Sequence, residues 1–268
     1  METKTIRLNS GLNIFFRQQG APGAEPLVLM HGWPSSSLLW RNIMPELSKS
    51  FLVIAPDLPG YGQSDKPLDL DHDLDFLHTF IKEFLDALSL KKIYLAAHDI
   101  GGMAALSFAA GHPELINKFI IMNTAPYADI SFQLKLSLFL LKQPLLTWFF
   151  LNPFVFRQVL KTGIYNHDAI TDELVKIFQD PWKSRPKGHQ SFTKTIDTPI
   201  KDMVQSPDRL KSITLETLIL WGKKDRFFPF STARRLHQDI KNSMLVGIEN
   251  AGHFCQEEEP EFIARMIR

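Results

Sequence analysis

Over the first 123 residues, short runs of consecutive apolar residues alternate with longer stretches whose apolar positions recur at helical spacing. Pro26–Met30, Phe51–Ala55, Lys92–Ala97 and Ile116–Asn123 are runs of the first kind and read as buried strands. Ser37–Leu47, His72–Leu90 and Gly101–Gly111 read as helices; in His72–Leu90 the apolar positions are Phe76, Phe80, Ile81, Phe84, Leu85 and Leu88. Ahead of them, Thr5–Leu8 and Leu12–Gln18 flank Asn9-Ser10-Gly11 and read as a hairpin. Strands apolar on both faces need cover on both sides, which a mostly parallel sheet between two helical layers provides.

The alternation stops at Thr124 and resumes near Gln205 with Ile213–Trp221 (strand), Ser231–Ile240 (helix), Ser243–Ile248 (strand) and Glu257–Ile267 (helix). The interval has helical patterns, several prolines and no strand pattern. The chain therefore divides into a first α/β core part, 1–125, an inserted helical cap, 126–205, and a second core part, 206–268. Within the insertion, Ser137–Phe156 is the most apolar stretch, but Lys142 interrupts it and Pro144 and Pro153 break it, so it reads as packed helices and not as a membrane span. The basic run Lys183–Lys187 reads as a solvated loop of the cap.

Charge and cysteine content narrow the function classes. Thirty Lys and Arg against 29 Asp and Glu in 268 residues leave a net charge of +1, which argues against an electrostatic nucleic-acid binder. One cysteine, Cys255, excludes an intrachain disulfide and reads as a packing residue. Together with an N-terminus that lacks an apolar run, it points to a cytoplasmic protein.

The chemistry concentrates where strands end. Ala97-His98-Asp99-Ile100-Gly101-Gly102 follows a strand and opens a helix, with small residues two before and two after Asp99. That is the context of a sharp strand-to-helix turn that presents its central side chain as a nucleophile. Serine is usual there; here it is aspartate. A carboxylate is already ionised at neutral pH, with an ordinary pKa of about 3.9. It is suited to displacement at a saturated carbon, giving an alkyl ester that water must then hydrolyse with the help of a base. Asp225, in Trp221–Pro229, and His253, in Asn250–Phe254, each follow a later strand. Parallel strands bring their C-terminal loops to one edge, so the three residues can meet. His253 would activate water, and Asp225 would fix its tautomer. His31 and His98 read as structural, Asp57 as part of a tight turn, and Trp40 and Trp221 as packing.

These motifs resemble the α/β-hydrolase superfamily, and within it the branch with an aspartate nucleophile, which includes haloalkane dehalogenases, fluoroacetate dehalogenases and epoxide hydrolases. The resemblance runs through 31–47, 53–67, 96–103, 119–127, 221–229 and 251–261. It implies the α/β-hydrolase fold, the triad Asp99, Asp225 and His253, and an oxyanion hole from the backbone N–H groups of Trp33 and Ile100. It also implies no metal and no organic cofactor. The substrate would be a small apolar organic molecule, with water as co-substrate.

Within the branch the departing atom decides the activity. Haloalkane dehalogenases usually place Trp directly after the nucleophile; Ile100 stands there. Fluoroacetate dehalogenases usually place Arg there to hold a carboxylate, which Ile100 cannot do. Epoxide hydrolases usually use two cap tyrosines. A halide is stabilised by N–H donors in a dry pocket, whereas an alkoxide needs an acid. Trp33, Trp148 and Trp182 are the indole candidates, and Tyr127 and Tyr165 the phenol candidates. The balance favours a haloalkane dehalogenase-like hydrolase, with epoxide hydrolysis as the alternative and a catalytically silent ligand-binding protein as a third. Roofing of the cleft by the Leu- and Phe-rich insertion competes with a use of that surface for dimerisation.

Overall fold

The computed structural model describes residues 1–128, 132–183, 187–197 and 204–268. Eight strands form one sheet: β1 (Glu2–Arg7), β2 (Asn13–Gln19), β3 (Pro26–Met30), β4 (Leu52–Pro56), β5 (Ile93–His98), β6 (Ile116–Met122), β7 (Thr217–Gly222) and β8 (Ser243–Ile248). Their spatial order is β1-β2-β4-β3-β5-β6-β7-β8. The β1–β2 and β2–β4 pairings are antiparallel and the others parallel. The central strands are buried on both faces: Leu27, Val28, Leu29 and Met30 of β3 are fully enclosed, as is every residue of β7. That is why they appear in the sequence as unbroken apolar runs. β1 is exposed on both faces and carries Glu2, Lys4 and Arg7, charges that discourage another chain from pairing with this edge.

The helices are α1 (Met44–Leu47), α2 (Leu74–Ala87), α3 (Asp99–Gly111), α4 (Phe132–Leu141), α5 (Pro144–Phe150), α6 (Pro153–Gly163), α7 (Asp172–Gln179), α8 (Lys187–Lys194), α9 (Pro207–Lys211), α10 (Phe230–Asp239), α11 (Cys255–Glu258) and α12 (Pro260–Ile267). Asp73 caps α2 by accepting from the Phe76 N–H at 2.8 Å, and the predicted apolar stripe of this helix faces inward. Two predicted helices are broken. Ser37–Leu47 becomes a short 3-10 turn, Ser37–Trp40, followed by α1, because Pro45 can only open a helix and the Ser37 N–H goes to Asp57 Oδ1 at 2.7 Å. The last helix splits into α11 and α12 because Glu259, ahead of Pro260, leaves the helical region.

Between β6 and β7 the described residues form α4 to α9 and two short 3-10 turns, with no strand among them. Pro144 and Pro153 each open a helix, which divides the apolar stretch into α4, α5 and α6. No helix of the described residues is long and apolar enough to cross a membrane. Of the basic run, Lys183 pairs with Asp180 and Lys187 opens α8; Ser184 to Pro186 lie outside the described residues.

The chain leaves β3 for β4 on one side and returns to β5 on the other. At such a reversal the loops after β3 and β5 diverge and leave a crevice at the C-terminal edge of the sheet. The loop carrying Gly32 and Trp33 and the start of α3 flank that crevice.

Candidate active site

Asp99 begins α3 with φ of 53°, in the left-handed region that a residue other than glycine enters at a cost of roughly 1–3 kcal/mol. The surroundings hold it there. Its N–H donates to the Asn123 carbonyl at 3.2 Å, and its own carbonyl accepts from Thr124 Oγ1 at 2.6 Å. Gly101 lets α3 lie against the β3 loop, since a Cβ at that position would stand 2.3 Å from the His31 carbonyl oxygen. A Cβ on Gly32 would stand 2.3 Å from Asp99 Cβ, so only glycine permits this approach. Asp99 Oδ1 accepts from the Trp33 N–H at 2.7 Å, and the carboxylate also accepts from the Ile100 N–H. Burial pushes the Asp99 pKa up, against the pull of His253 and the two backbone donors.

His253 lies in the loop after β8. Its Nδ1 is 3.0 Å from Asp225 Oδ2, and its Nε2 is 3.6 Å from Asp99 Oδ2. The second distance is beyond a hydrogen bond. Asp225, after β7, is fixed on every side: Oδ1 accepts from the N–H groups of Phe227 (2.7 Å) and Phe228 (3.0 Å), and Oδ2 accepts from Asn123 Nδ2 at 2.7 Å. With Nδ1–H directed at Asp225, the imidazole presents the Nε2 lone pair towards Asp99. Burial works against the imidazolium, but Asp225, and then Asp99 and Glu258, outweigh it and raise the His253 pKa.

Three further residues hold the histidine loop, and the sequence pattern did not single out two of them. Asn123, just beyond β6, uses its amide N–H on Asp225, while its Oδ1 accepts from the Gly222 N–H at 3.2 Å. The signal available in the sequence was its position at a strand's C-terminal end. Glu258 accepts from the N–H groups of Gly252 (2.7 Å), Tyr165 (2.8 Å) and Asn166 (2.7 Å), tying the His253 loop to the segment after α6. His98, expected to be structural, donates from Nε2 to the His253 carbonyl at 2.9 Å. His31 is also a pin, bonded to the Gly32 carbonyl and the Leu58 N–H. Asp57 closes its turn through the N–H groups of Ser37 and Gln63. Cys255 is buried, its thiol 3.4 Å from Asn123 Oδ1.

Above Asp99 and His253 is a cavity of about 480 Å³ roofed by α4, α5, α6 and the end of α8. Its described lining is apolar apart from Asp99, His253, Gln158, Thr162, Thr195 and the indole of Trp33, and it includes no Lys or Arg. The Trp33 Nε1 is buried without a hydrogen-bond partner, the ring lying between Phe150 and Phe192. Among the described residues, no group of three or more His, Cys, Asp or Glu is arranged to hold a metal ion.

None of the other four leaving-group candidates is among the described residues that line this cavity. Trp148 is 57% exposed on the outer side of α5. Trp182 is fully buried, and its indole N–H is taken by the Pro34 carbonyl at 2.9 Å. The Tyr127 hydroxyl donates to Asp239 at 2.5 Å under the Arg235 guanidinium. Tyr165 is 48% exposed and lines a separate polar hollow with Asn166, His167 and Glu258.

The family model of the alpha/beta hydrolase fold matches residues 25–260. The chain belongs to the α/β-hydrolase family. It is a hydrolase. A 2-hydroxy-6-oxononadienedioate/2-hydroxy-6-oxononatrienedioate hydrolase of Pseudomonas putida is 28% identical to this α/β-hydrolase over 99% of the chain and 95% of the relative. The structure of the epoxide hydrolase CorEH superposes with a TM-score of 0.84 at 25% identity, covering 99% of this chain and 96% of that one. A loop variant of the haloalkane dehalogenase DbeA from Bradyrhizobium elkanii superposes with a TM-score of 0.82 at 23% identity, covering 99% and 94%, a likeness of fold alone.

Proposed function

We propose that this α/β-hydrolase works through an alkyl ester of Asp99 on small, apolar, uncharged substrates with a halide leaving group. The observation that carries this reading is a carboxylate at the strand-to-helix turn, with Oδ1 held by the Trp33 N–H and the side chain lining an apolar cavity. Asp99 Oδ2 would attack the saturated carbon in line, the carbon–halogen bond would break, and halide would leave towards the unpartnered Trp33 indole N–H. His253 Nε2 would then take a proton from water as the water oxygen adds to the Asp99 carbonyl carbon. The negative charge would develop on Oδ1, which the Trp33 N–H already meets, while the Ile100 N–H also reaches the carboxylate. Collapse releases the alcohol and restores the carboxylate, so one water and one alkyl halide give alcohol, halide and a proton.

The lining of the cavity supports this reading over the others. The P. putida relative is named for dicarboxylate (dioate) substrates, and no Lys or Arg of the described lining answers such charge. An epoxide would leave an alkoxide needing a proton donor, and neither Tyr127 nor Tyr165 lines the cavity. Halide release and diol formation, measured in parallel on short haloalkanes and matched epoxides, test the assignment. Halide release is expected; diol formation without it would replace the reading with epoxide hydrolysis. Single-turnover reaction in ¹⁸O-water is expected to leave the label in the Asp99 carboxylate and the product unlabelled. Label in that first product would rule out the ester.

A further inference from the structure

The apolar stretch 137–156 is only partly buried in the folded chain. Phe139 of α4, Trp148 and Phe149 of α5 and Phe154 of α6 are between 57% and 72% exposed, and Leu136, Leu140 and Leu146 stand beside them in sequence and are also exposed. Phe149, Leu140 and Leu146 line the cavity as well, so the exposed apolar surface continues into its mouth. A soluble surface gains nothing from this many uncovered large side chains.

The charges around the patch indicate what covers it. From Gln143 to Phe156 there is no charged residue, and Lys142 and Arg157 bracket this span. From Phe132 to Gly163 the chain has Lys135, Lys142, Arg157 and Lys161 but no Asp or Glu. Lys142 and Arg157 pair with Asp197 and Asp172, outside these helices. Although those two are paired, the acid-free helices keep Lys161, so two such faces pressed together would gain no opposite charge, whereas a bilayer with anionic headgroups offers both apolar depth and opposite charge. An exposed Trp in an apolar span bracketed by cations is a composition that suits a membrane–water interface.

We infer that α4–α6 dock this hydrolase on the surface of an anionic bilayer, tip inward, with the cavity mouth opening onto the lipid. Apolar substrates would then enter from the phase in which they concentrate. Four of the five tryptophans are buried or half-buried, so Trp148 is the natural reporter. The full-length protein is mixed with vesicles of phosphatidylcholine alone or containing phosphatidylserine. Binding to the phosphatidylserine vesicles is expected, with a blue shift of tryptophan emission, co-sedimentation, and weakening by salt. Phe154→Ser, away from the cavity lining, is expected to weaken it about ten-fold or more, and Lys161→Glu to weaken it by a smaller factor while preserving the fold. Protein remaining in the supernatant with unshifted emission would overturn the inference. So would a concentration-dependent dimer that Phe154→Ser abolishes in the absence of any vesicle binding. Because the readouts do not involve turnover, they stand apart from the outcome of the substrate assays.

Discussion

Asp99 is buried in an apolar cleft as an acid whose ionised form the fold disfavours, and this has a thermodynamic consequence. A carboxyl group with a raised folded pKa holds its proton more tightly folded than unfolded. Its contribution to stability is full below the unfolded carboxylate pKa and is lost as pH rises through the folded one. At neutral pH, Asp99→Asn should therefore abolish turnover yet raise the melting temperature, by roughly 2–4 °C for each kcal/mol relieved. Scanning calorimetry at descending pH should show that gain disappear. The neighbouring histidine gives the opposite test. On the proposed mechanism His253 must be neutral to accept a proton from water, and its pKa is raised, so kcat should fall as pH drops through a value above the ordinary histidine range of about 6.5. Asp225→Asn removes the largest of the raising influences, so the acid limb should move to lower pH while kcat falls. His253→Gln should still be alkylated and should accumulate the ester, visible by intact mass on the Asp99 peptide, with turnover reduced by at least ~10²-fold. Trp33→Phe keeps the backbone donor and an aromatic ring but removes the buried, unpartnered indole N–H of this cavity-lining residue. Bromide should quench the wild type saturably and this variant only by collision.

At the scale of elements, Glu258 is the side chain that ties the helices over the cavity to the loop of His253. It accepts three backbone N–H groups, two from the segment after α6 and one from Gly252. The His253 N–H meanwhile donates to the Gly163 carbonyl at 2.6 Å. Glu258→Ala leaves these donors without their acceptor, a loss of about 1–3 kcal/mol that thermal melts would register. It should slow ester hydrolysis more than ester formation, because only the second step depends on where His253 points. The strands ahead of Asp99 and Asp225 were legible in the sequence because parallel strands buried on both faces leave continuous apolar runs, and His253 follows the half-exposed edge strand β8, whose run is still apolar enough to read. The roof was not legible in the same way. An inserted helix is oriented by partners far along the chain: the indole of Trp182 is taken by Pro34 and the hydroxyl of Tyr127 by Asp239. No local periodicity encodes such pairings, so indoles and phenols of the insertion looked equally placed to meet a leaving group. Asn123 escaped notice because its role depends on β6 lying beside β7, a matter of register and not of motif.

For the whole molecule, the strand order decides where chemistry can occur and the insertion decides on what. The reversal between β3 and β5 opens the crevice that receives Asp99, while α4–α6 and α8 close it with Leu, Ile, Val and Phe. Such a cavity selects by apolar area and by charge. Each additional methylene buried there contributes about 0.8 kcal/mol, so kcat/KM for 1-haloalkanes should rise roughly four-fold per carbon until about 480 Å³ is filled, and then fall. An ω-halocarboxylate of equal length should find no Lys or Arg in the described lining to answer its charge, and on the proposed mechanism Asp99 is anionic when it attacks. The uncharged substrate should be favoured by several orders of magnitude in kcat/KM, with the loss appearing mainly in KM, since both compounds present the same carbon to the same carboxylate. Competition kinetics with the two chlorides at one chain length measures this directly. Equal efficiency, or preference for the carboxylate, would mean that a cation reaches the site during turnover and that the apolar cavity does not set the substrate class.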